Sequence, residues 1–252
     1  LKLARSSVTD AGIAALKHHQ HLYSLDLSGT SISDQAMEYI AQFPALSSLS
    51  LNDTAISDAG IGQLAANTRL SALHVHGTNI SPDGVKQLSG CSRMVLFSGP
   101  AGWDDVWLET VSQWPQLWSL HLQGGQITSA GIRHLRRFEE LQELTIVQPL
   151  DDADLSVLAD LPNLRILHLG GMRQFDGSCL RHLANSPNLQ HVLLFNCELL
   201  DEKYLVHLGT LPGLRVLGLY GGTFSQEAID ALKRRNPKLT ISGYSVRAAG
   251  SQ

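Results

Sequence analysis

The sequence is poor in cysteine and in charge, and it lacks long runs of apolar or like-charged residues. Three cysteines, Cys91, Cys179 and Cys197, are spread over 252 residues. Such a sparse, odd set does not resemble a disulfide framework and favours a reducing, cytoplasmic compartment, without establishing one. Charged residues make up 17% and the formal net charge is −4. With no basic tract and no apolar run of membrane-spanning length, the composition predicts neither a nucleic-acid nor a membrane partner.

Motifs of enzymes and cofactor sites are also missing. The sequence contains no G-x-S-x-G, H-E-x-x-H or C-x-x-C motif, no Walker motif and no dinucleotide-binding glycine pattern. Acidic pairs begin at Asp104, Asp151 and Asp201, but each falls at the start of a predicted helix, where capping explains it. We therefore predict no enzyme, no cofactor and no catalytic residue.

What the sequence does contain is one phrase repeated at a fixed interval. Residues 51–64 read LNDTAISDAGIGQL, and near-copies occupy residues 27–40 and 75–88, each shifted by 24 residues. Apolar anchors recur every 23 to 25 residues along the whole chain, at Leu22, Leu46, Leu70, Met94, Leu117, Leu141, Leu164, Leu189, Leu214 and Leu239. A period of this length indicates a repeat architecture, in which neighbouring repeats bury one another's apolar faces.

Each repeat reads as a short strand, a turn and a short helix. Apolar residues three and five positions after the anchor alternate with polar ones, which is a strand pattern. A Ser, Thr or Asp then opens each helix as its N-cap; the ten are Thr9, Ser33, Ser57, Ser81, Asp104, Thr128, Asp151, Asp176, Asp201 and Ser225. Acidic residues such as Asp34 follow the cap, where they suit the helix dipole.

This pattern resembles the leucine-rich repeat, in the bacterial variety with the T-x-[IV]-[ST]-D-x-G motif. The segment LLFNCELLDEKYL at residues 193–205 also has some likeness to the cysteine-containing repeats of F-box receptors. The resemblance implies an α/β solenoid with a curved parallel β-sheet on the concave face and helices on the convex face. We predict one repeat domain over residues 1–242, with about ten repeats, and a flexible C-terminal tail over 243–252. The chain begins within a repeat, at Leu1, so we expect a piece of a longer protein.

Five histidines fall at outward-facing strand slots. They are His74, His76, His121, His168 and His191. Alternate strands lie about 10 Å apart, whereas nitrogens around one zinc ion lie much closer together, so we predict no metal site. The open alternatives are an ordinary polar binding face and a face whose affinity changes near the ordinary pKa of histidine.

The fifth repeat departs from the pattern between Gly99 and Trp107. Gly99 stands where an inward aliphatic residue belongs, Pro100 cannot donate to a strand ladder, and Trp107 replaces a small residue. Tryptophans that fill the space left by Gly99 explain this structurally. A bend at a binding site is the alternative.

The outward slots become larger and more apolar toward the C-terminus, which is typical of an interface centre. We predict a partner-binding site there, formed by His121, Ile166, His168, His191, Leu193, Phe195, Val216 and Tyr220. The predicted function is a non-catalytic protein–protein interaction scaffold that binds a protein on its concave face. The alternative is the substrate-recognition part of a ubiquitin-ligase-type receptor or a secreted bacterial effector. We expect a monomer, with self-association through the end strands as the alternative.

Overall fold

Short parallel strands, one from each repeat, organise the chain. The computed structural model describes residues 1–172 and 175–247. Twelve strands occur in this part of the chain: β1 Ser24–Asp26, β2 Ser48–Ser50, β3 Ala72–His74, β4 Leu96–Ser98, β5 Ser119–Gln123, β6 Glu143–Val147, β7 Ile166–Gly170, β8 His191–Phe195, β9 Val216–Tyr220, β10 Thr223–Phe224, β11 Thr240–Ser242 and β12 Ser245–Val246. Ten of them form one sheet in the order β1-β2-β3-β4-β5-β6-β7-β8-β9-β11, and β10 pairs with β12. These parallel strands with intervening helices confirm the predicted α/β leucine-rich repeat solenoid.

The helices are short and of two kinds. The α-helices are α1 Asp10–Ala14, α2 Asp34–Ile40, α3 Asp58–Ile61, α4 Pro82–Lys86, α5 Asp105–Val111, α6 Leu205–Gly209 and α7 Gln226–Arg235. The 3₁₀-helices are Gly62–Ala66, Gln87–Gly90, Gly131–Arg137, Asp152–Asp160, Ser178–Asn185, Cys197–Leu199 and Glu202–Tyr204. Both kinds bring residues three positions apart onto one face, so the apolar spacing in the sequence is compatible with either.

The chain divides into two compact units. Unit 1 comprises Leu1–Gly102 and Val106–Ser119, and unit 2 comprises Trp103–Asp105 and Leu120–Gln252. Both are built from the same repeat. The single repeat domain over residues 1–242 stays a prediction.

The core of each unit comes from the inward strand positions and one helix face. In unit 1, Leu25, Leu49 and Leu73 lie at equivalent register positions of β1, β2 and β3 and are buried. In unit 2, Leu167 and Val192 do the same in β7 and β8. The alternate strand positions face away from this core, and they form the exposed sheet face.

The acidic residue after each cap contacts the next repeat. Carboxylate oxygens of Asp58 accept hydrogen bonds from the backbone N–H and the hydroxyl of Ser81, at 2.7 Å and 2.6 Å. The same double contact joins Asp10 to Ser33, Asp34 to Ser57, Asp105 to Thr128 and Glu202 to Ser225. The sequence predicts these carboxylates only as partners of a helix dipole, whereas in the structure they also join consecutive repeats.

The glycine of the repeated phrase makes this contact possible. A Cβ atom placed at Gly84 would clash with the carboxylate of Asp58, and one at Gly60 would clash with that of Asp34. The glycine therefore leaves the space that the aspartate of the preceding repeat occupies.

The ends of the repeat region differ in detail from the sequence prediction. The repeat pattern predicts a first strand at residues 1–3, but in the structure this segment forms only one isolated bridge, between Lys2 and Asp26. In the predicted tail, Ser245 and Val246 of β12 pair with Thr223 and Phe224 of β10. Residues 248–252 of that tail lie outside the described residues, and its flexibility stays a prediction.

Aromatic packing fills the irregular fifth repeat. Phe97 on β4 contacts Trp107, with ring centroids 6.3 Å apart, and Trp114, at 5.3 Å. Both tryptophans are buried. Strand β4 pairs with β5 at one register position, Leu96 with Ser119, whereas it pairs with β3 at three. These contacts favour the structural explanation of this repeat, in which large rings replace aliphatic side chains.

Candidate functional site on the sheet face of unit 2

Seven of the eight predicted site residues lie on three adjacent strands. Ile166 pairs with His191, which in turn pairs with Val216. His168 pairs with Leu193 in the next row, and Phe195 pairs with Tyr220 in the third. We call the eight residues the sheet-face site: His121, Ile166, His168, His191, Leu193, Phe195, Val216 and Tyr220. Strand register thus brings together side chains that are about 25 residues apart in sequence.

Phe195 and Tyr220 form a stacked pair at one border of the site. Their ring centroids are 5.1 Å apart and their planes differ by 11°. Phe195 is 36% exposed and Tyr220 is 40% exposed. Large rings held in a fixed stack lose little conformational entropy on binding, which suits them as interface anchors.

Glycines on neighbouring segments provide the space for this pair. A Cβ atom at Gly218 would lie 2.6 Å from Cε2 of Tyr220 and 2.7 Å from Cδ2 of Leu193. One at Gly243 would lie 2.6 Å from Cδ1 of Tyr220, and one at Gly170 would lie 3.3 Å from Cβ of Phe195. The stack therefore lies between Gly170 and Gly243, whose missing side chains leave room for the two rings.

His168 lies near three other titratable groups, Glu143, His121 and His191. His168 is half-buried, and its Nδ1 lies 3.4 Å from the hydroxyl of Thr145. Burial lowers the pKa of His168; the carboxylate of Glu143 opposes this shift, and His121 and His191 add to it. Nε2 of His121 lies 4.0 Å from Oε1 of Glu143. His121, on β5, is thus connected to the rest of the site through β6.

The other two outward histidines belong to unit 1. Burial lowers the pKa of His74, and the nearby carboxylate of Asp26 opposes that shift. The backbone N–H of His76 donates to the side chain of Asn52 at 2.9 Å. Within residues 1–172 and 175–247, no group of three His, Cys, Asp or Glu side chains is arranged to hold a metal ion.

The structure adds four residues that the sequence argument misses. Val147, at the end of β6, is 40% exposed and pairs with Gly170 at the border that carries Phe195. Arg165 and Arg215 are exposed and directly precede β7 and β9. Glu143 is the partner of His121 already described. A slot-by-slot reading of the residue after each anchor leucine would have found both arginines.

The cysteines lie away from this surface. All three are buried and unpaired. Burial raises the pKa of Cys91 to about 11 and that of Cys197 to about 12, and it also raises the pKa of Cys179 well above its ordinary value. Protonated, buried thiols are poor nucleophiles and act as small apolar side chains.

Comparisons with known proteins agree on the fold. A family model described as a leucine-rich repeat matches residues 18–41. No curated protein matches the sequence. The crystal structure of the internalin inlF from Listeria monocytogenes is similar over 99% of this chain and 82% of its own, with 20% identity and a TM-score of 0.67. The crystal structure of internalin C2 from the same organism is similar over 83% of this chain and 83% of its own, with 23% identity and a TM-score of 0.58. At these identities the likeness establishes the fold, and the chain therefore has the fold of the leucine-rich repeat proteins.

Proposed function

We propose that this chain is a non-catalytic scaffold that binds a protein partner through the sheet-face site. The observation that supports it best is the stacked pair of Phe195 and Tyr220, exposed beside Leu193 on a face where polar side chains are expected. Aromatic side chains that keep a third or more of their area in water are typical anchors of protein interfaces. The resemblance to bacterial leucine-rich repeat proteins predicts that this face is concave and that the chain is bacterial.

The chemistry of the site supports binding more than catalysis. The hydroxyl nearest to His168 belongs to Thr145, which is buried and therefore closed to a substrate. The three thiols are buried, and their pKa values are raised. Among the described residues, no helix has the length and apolar character needed to cross a membrane. We also propose that the chain is a monomer and that its partner is a protein rather than nucleic acid or a membrane.

A binding experiment with matched variants tests the proposal. Immobilised wild-type chain, the Phe195→Ala/Tyr220→Ala double variant and the Ser24→Ala/Ser48→Ala double variant are compared for proteins that they retain from a bacterial extract. A purified protein lost only from the aromatic variant is then titrated against each single variant. Phe195→Ala and Tyr220→Ala should each weaken its binding about 30-fold, because a buried anchor contributes about 2 kcal/mol. Ser24→Ala and Ser48→Ala should change it less than about threefold.

If the serine substitutions weakened binding more than the aromatic ones, Phe195 and Tyr220 would serve packing or self-association instead. The alternative function, substrate recognition within a ubiquitin-ligase-type receptor, stays a prediction. It requires that the captured protein become ubiquitinated in the presence of this chain. A secreted effector, in contrast, would bind a host protein rather than a bacterial one, which a parallel capture from host-cell extract distinguishes.

A further inference from the structure

The sheet face of unit 2 carries unmatched positive charge. Strands β5 to β9 contain one carboxylate, that of Glu143, whose Oε1 lies 4.0 Å from Nε2 of His121. Arg165 and Arg215 border the face and are exposed, and among the described residues neither guanidinium lies within 4.0 Å of a carboxylate. The whole chain is nevertheless acidic, with a net charge of −4. The positive character of this face is therefore local.

His168 lies where an anionic partner would favour its protonated form. His168 faces Thr145 on β6 and the charged or titratable groups of Glu143, His121 and His191. Two of these neighbours are histidines, which repel a second positive charge, and one is a carboxylate. An additional carboxylate placed over His168 would favour its protonated form. Binding of an anionic segment would thus be accompanied by proton uptake.

The aromatic pair presents the part of the ring that attracts oxygen anions. Phe195 lies between Tyr220 and Gly170, and the ring of Tyr220 lies against Gly218 and Gly243. The two facing ring surfaces cover one another, and the ring edges carry the positive end of the ring quadrupole. Nucleic-acid bases bind by stacking on open ring faces, and the stacked pair already uses one face of each ring. The surface consequently favours a peptide with carboxylates and an apolar side chain.

We propose that the sheet-face site binds an acidic segment of its protein partner, with carboxylates over Arg165, Arg215 and the histidines and one apolar side chain beside Phe195 and Tyr220. This inference rests on the proposed function and specifies the chemistry of the partner. Affinity should rise as the pH falls, because protonation of the histidines creates cations opposite the carboxylates of the partner. The range that matters is from about pH 7.5 to about pH 6.0, in which the carboxylates stay ionised.

Selection from a displayed library of random dodecapeptides tests this without a known partner. The bait is the full chain, and three double variants run in parallel: Phe195→Ser/Tyr220→Ser, Arg165→Gln/Arg215→Gln, and the matched control Arg181→Gln/Arg234→Gln. The control removes two exposed arginines from helices. Enriched peptides should carry net negative charge and a Leu, Phe or Trp. They should be retained by the control and lost from the aromatic variant.

A synthetic peptide of the most enriched sequence then serves as the fluorescence-anisotropy probe. Arg165→Gln/Arg215→Gln should weaken its binding about tenfold or more, because hydrogen bonds to charged groups are among the stronger contacts. The arginine control should change it less than about threefold. Lowering the pH from about 7.5 to about 6.0 should tighten it about threefold or more.

Three outcomes would overturn the inference, and they can be told apart. Neutral or basic peptides that still depend on Phe195 and Tyr220 would refute the acidic partner and leave the proposed function standing. No enrichment, or equal enrichment on the aromatic variant, would refute both. Tighter binding of a single-stranded oligothymidylate than of the peptide would replace a peptide with nucleic acid as the ligand.

Discussion

At the scale of single residues, the cap of one repeat is matched to the acidic residue of the repeat before it. A cap that carries a hydroxyl contacts a carboxylate of the repeat before it: Ser33 contacts Asp10, and Ser57 contacts Asp34. When the cap is acidic, the preceding repeat mostly has a neutral residue in the position directly after its own cap. Asp104, Asp151 and Asp201 are preceded in this way by Pro82, Ser129 and Gly177. A carboxylate needs a donor opposite it, and two facing carboxylates would repel one another, which explains the pairing.

Asp176 is the exception to this pairing, since it follows Asp152. The Asp152 carboxylate accepts instead from the backbone N–H groups of Asp176 at 2.9 Å, Cys179 at 3.0 Å and Gly177 at 3.4 Å. Asp176 directs its own carboxylate to the N–H of Ser178 at 2.7 Å. That hydrogen bond is the main reason why the pKa of Asp176 is lowered. Backbone donors thus replace the missing hydroxyl.

Ser33→Ala should destabilise the protein by about 1–2 kcal/mol, because it removes both a cap and a bond between repeats. The Ser33 hydroxyl accepts from Gln35 at 3.3 Å and donates to Asp10 at 2.7 Å. Urea unfolding followed by circular dichroism measures the change. Ser48→Ala, on the sheet face, is the control and should have an effect within about 0.5 kcal/mol. Equal effects of the two substitutions would contradict the assigned role of Ser33.

Gly60→Ala tests the contact between glycine and aspartate when its cost is compared with and without the Asp34 carboxylate. In the wild-type background the new methyl group meets the Asp34 carboxylate, and we expect a net loss of about 1 kcal/mol after helix propensity is counted. In an Asp34→Ala background the carboxylate is gone and the nearest remaining atom is the Cα of residue 34 at 3.1 Å, so the same substitution should change stability by less than about 0.5 kcal/mol. Ala36 occupies this slot naturally in the second repeat, so a modest cost is expected. A loss of equal size in both backgrounds would refute the contact.

His168 makes stability depend on pH near neutrality. Burial lowers its pKa in the folded protein. As the pH falls below about 6.5, the unfolded chain therefore binds a proton before the folded protein does, and folding stability declines. His168→Gln should reduce the loss of thermal stability between about pH 7.5 and about pH 5.5. His134→Gln, on the helix Gly131–Arg137, is the control, and an unchanged pH profile in the His168 variant would exclude this contribution.

At the scale of elements, the fifth repeat shows how one irregular segment is accommodated. Trp107 occupies the slot that glycine fills in the third and fourth repeats. The preceding repeat has Pro82 where Asp34 and Asp58 stand in theirs, so the aspartate of that slot is replaced by proline. The same replacement explains why this repeat lacks the Asp-to-hydroxyl contact. Replacement of a carboxylate and a glycine by a proline and a tryptophan keeps the volume filled.

Trp107→Ala should therefore destabilise unit 1 strongly. Truncation of a buried tryptophan costs about 3–5 kcal/mol, because it removes apolar contacts and leaves a cavity. The side chain is 7% exposed and stacks on Phe97. Trp118→Ala is the control, since its side chain is 39% exposed. Guanidinium unfolding monitored by far-ultraviolet circular dichroism compares them, and a similar cost at both positions would favour a binding role for the fifth repeat over packing.

At the scale of the whole molecule, stability is expected to be local. Each repeat contacts mainly its neighbours, so a perturbation should spread over adjacent repeats rather than uniformly. Ser33→Ala should speed amide hydrogen exchange in β1 and β2 and leave β8 and β9 unchanged. Asp176→Ala should speed amide hydrogen exchange at the other end of the chain, with its largest effect near β7 and β8, and leave β1 and β2 unchanged. Uniform acceleration across all strands in either variant would show that the molecule unfolds as one cooperative unit.

The sequence by itself determined the period, the strand and helix order and the positions of the caps. Each depends on a local pattern: leucines at alternate positions such as Leu25 and Leu27, and a hydroxyl or carboxylate before each helix. The adjacency of Phe195 and Tyr220 also followed from the period, because equivalent slots of parallel strands lie about 4.8 Å apart.

Only the tertiary structure decided which neighbour each side chain contacts. The bond from Asp34 to Ser57, the space above Gly60 and the lean of Tyr220 over Gly218 depend on how one repeat is placed on the next, which no single repeat specifies. The choice between α and 3₁₀ turns was likewise settled by packing, since an apolar pair such as Leu155 and Leu158 suits both helices. The charge of the sheet face emerged in the same way, because within the described part of the chain neither Arg165 nor Arg215 has a carboxylate within 4.0 Å.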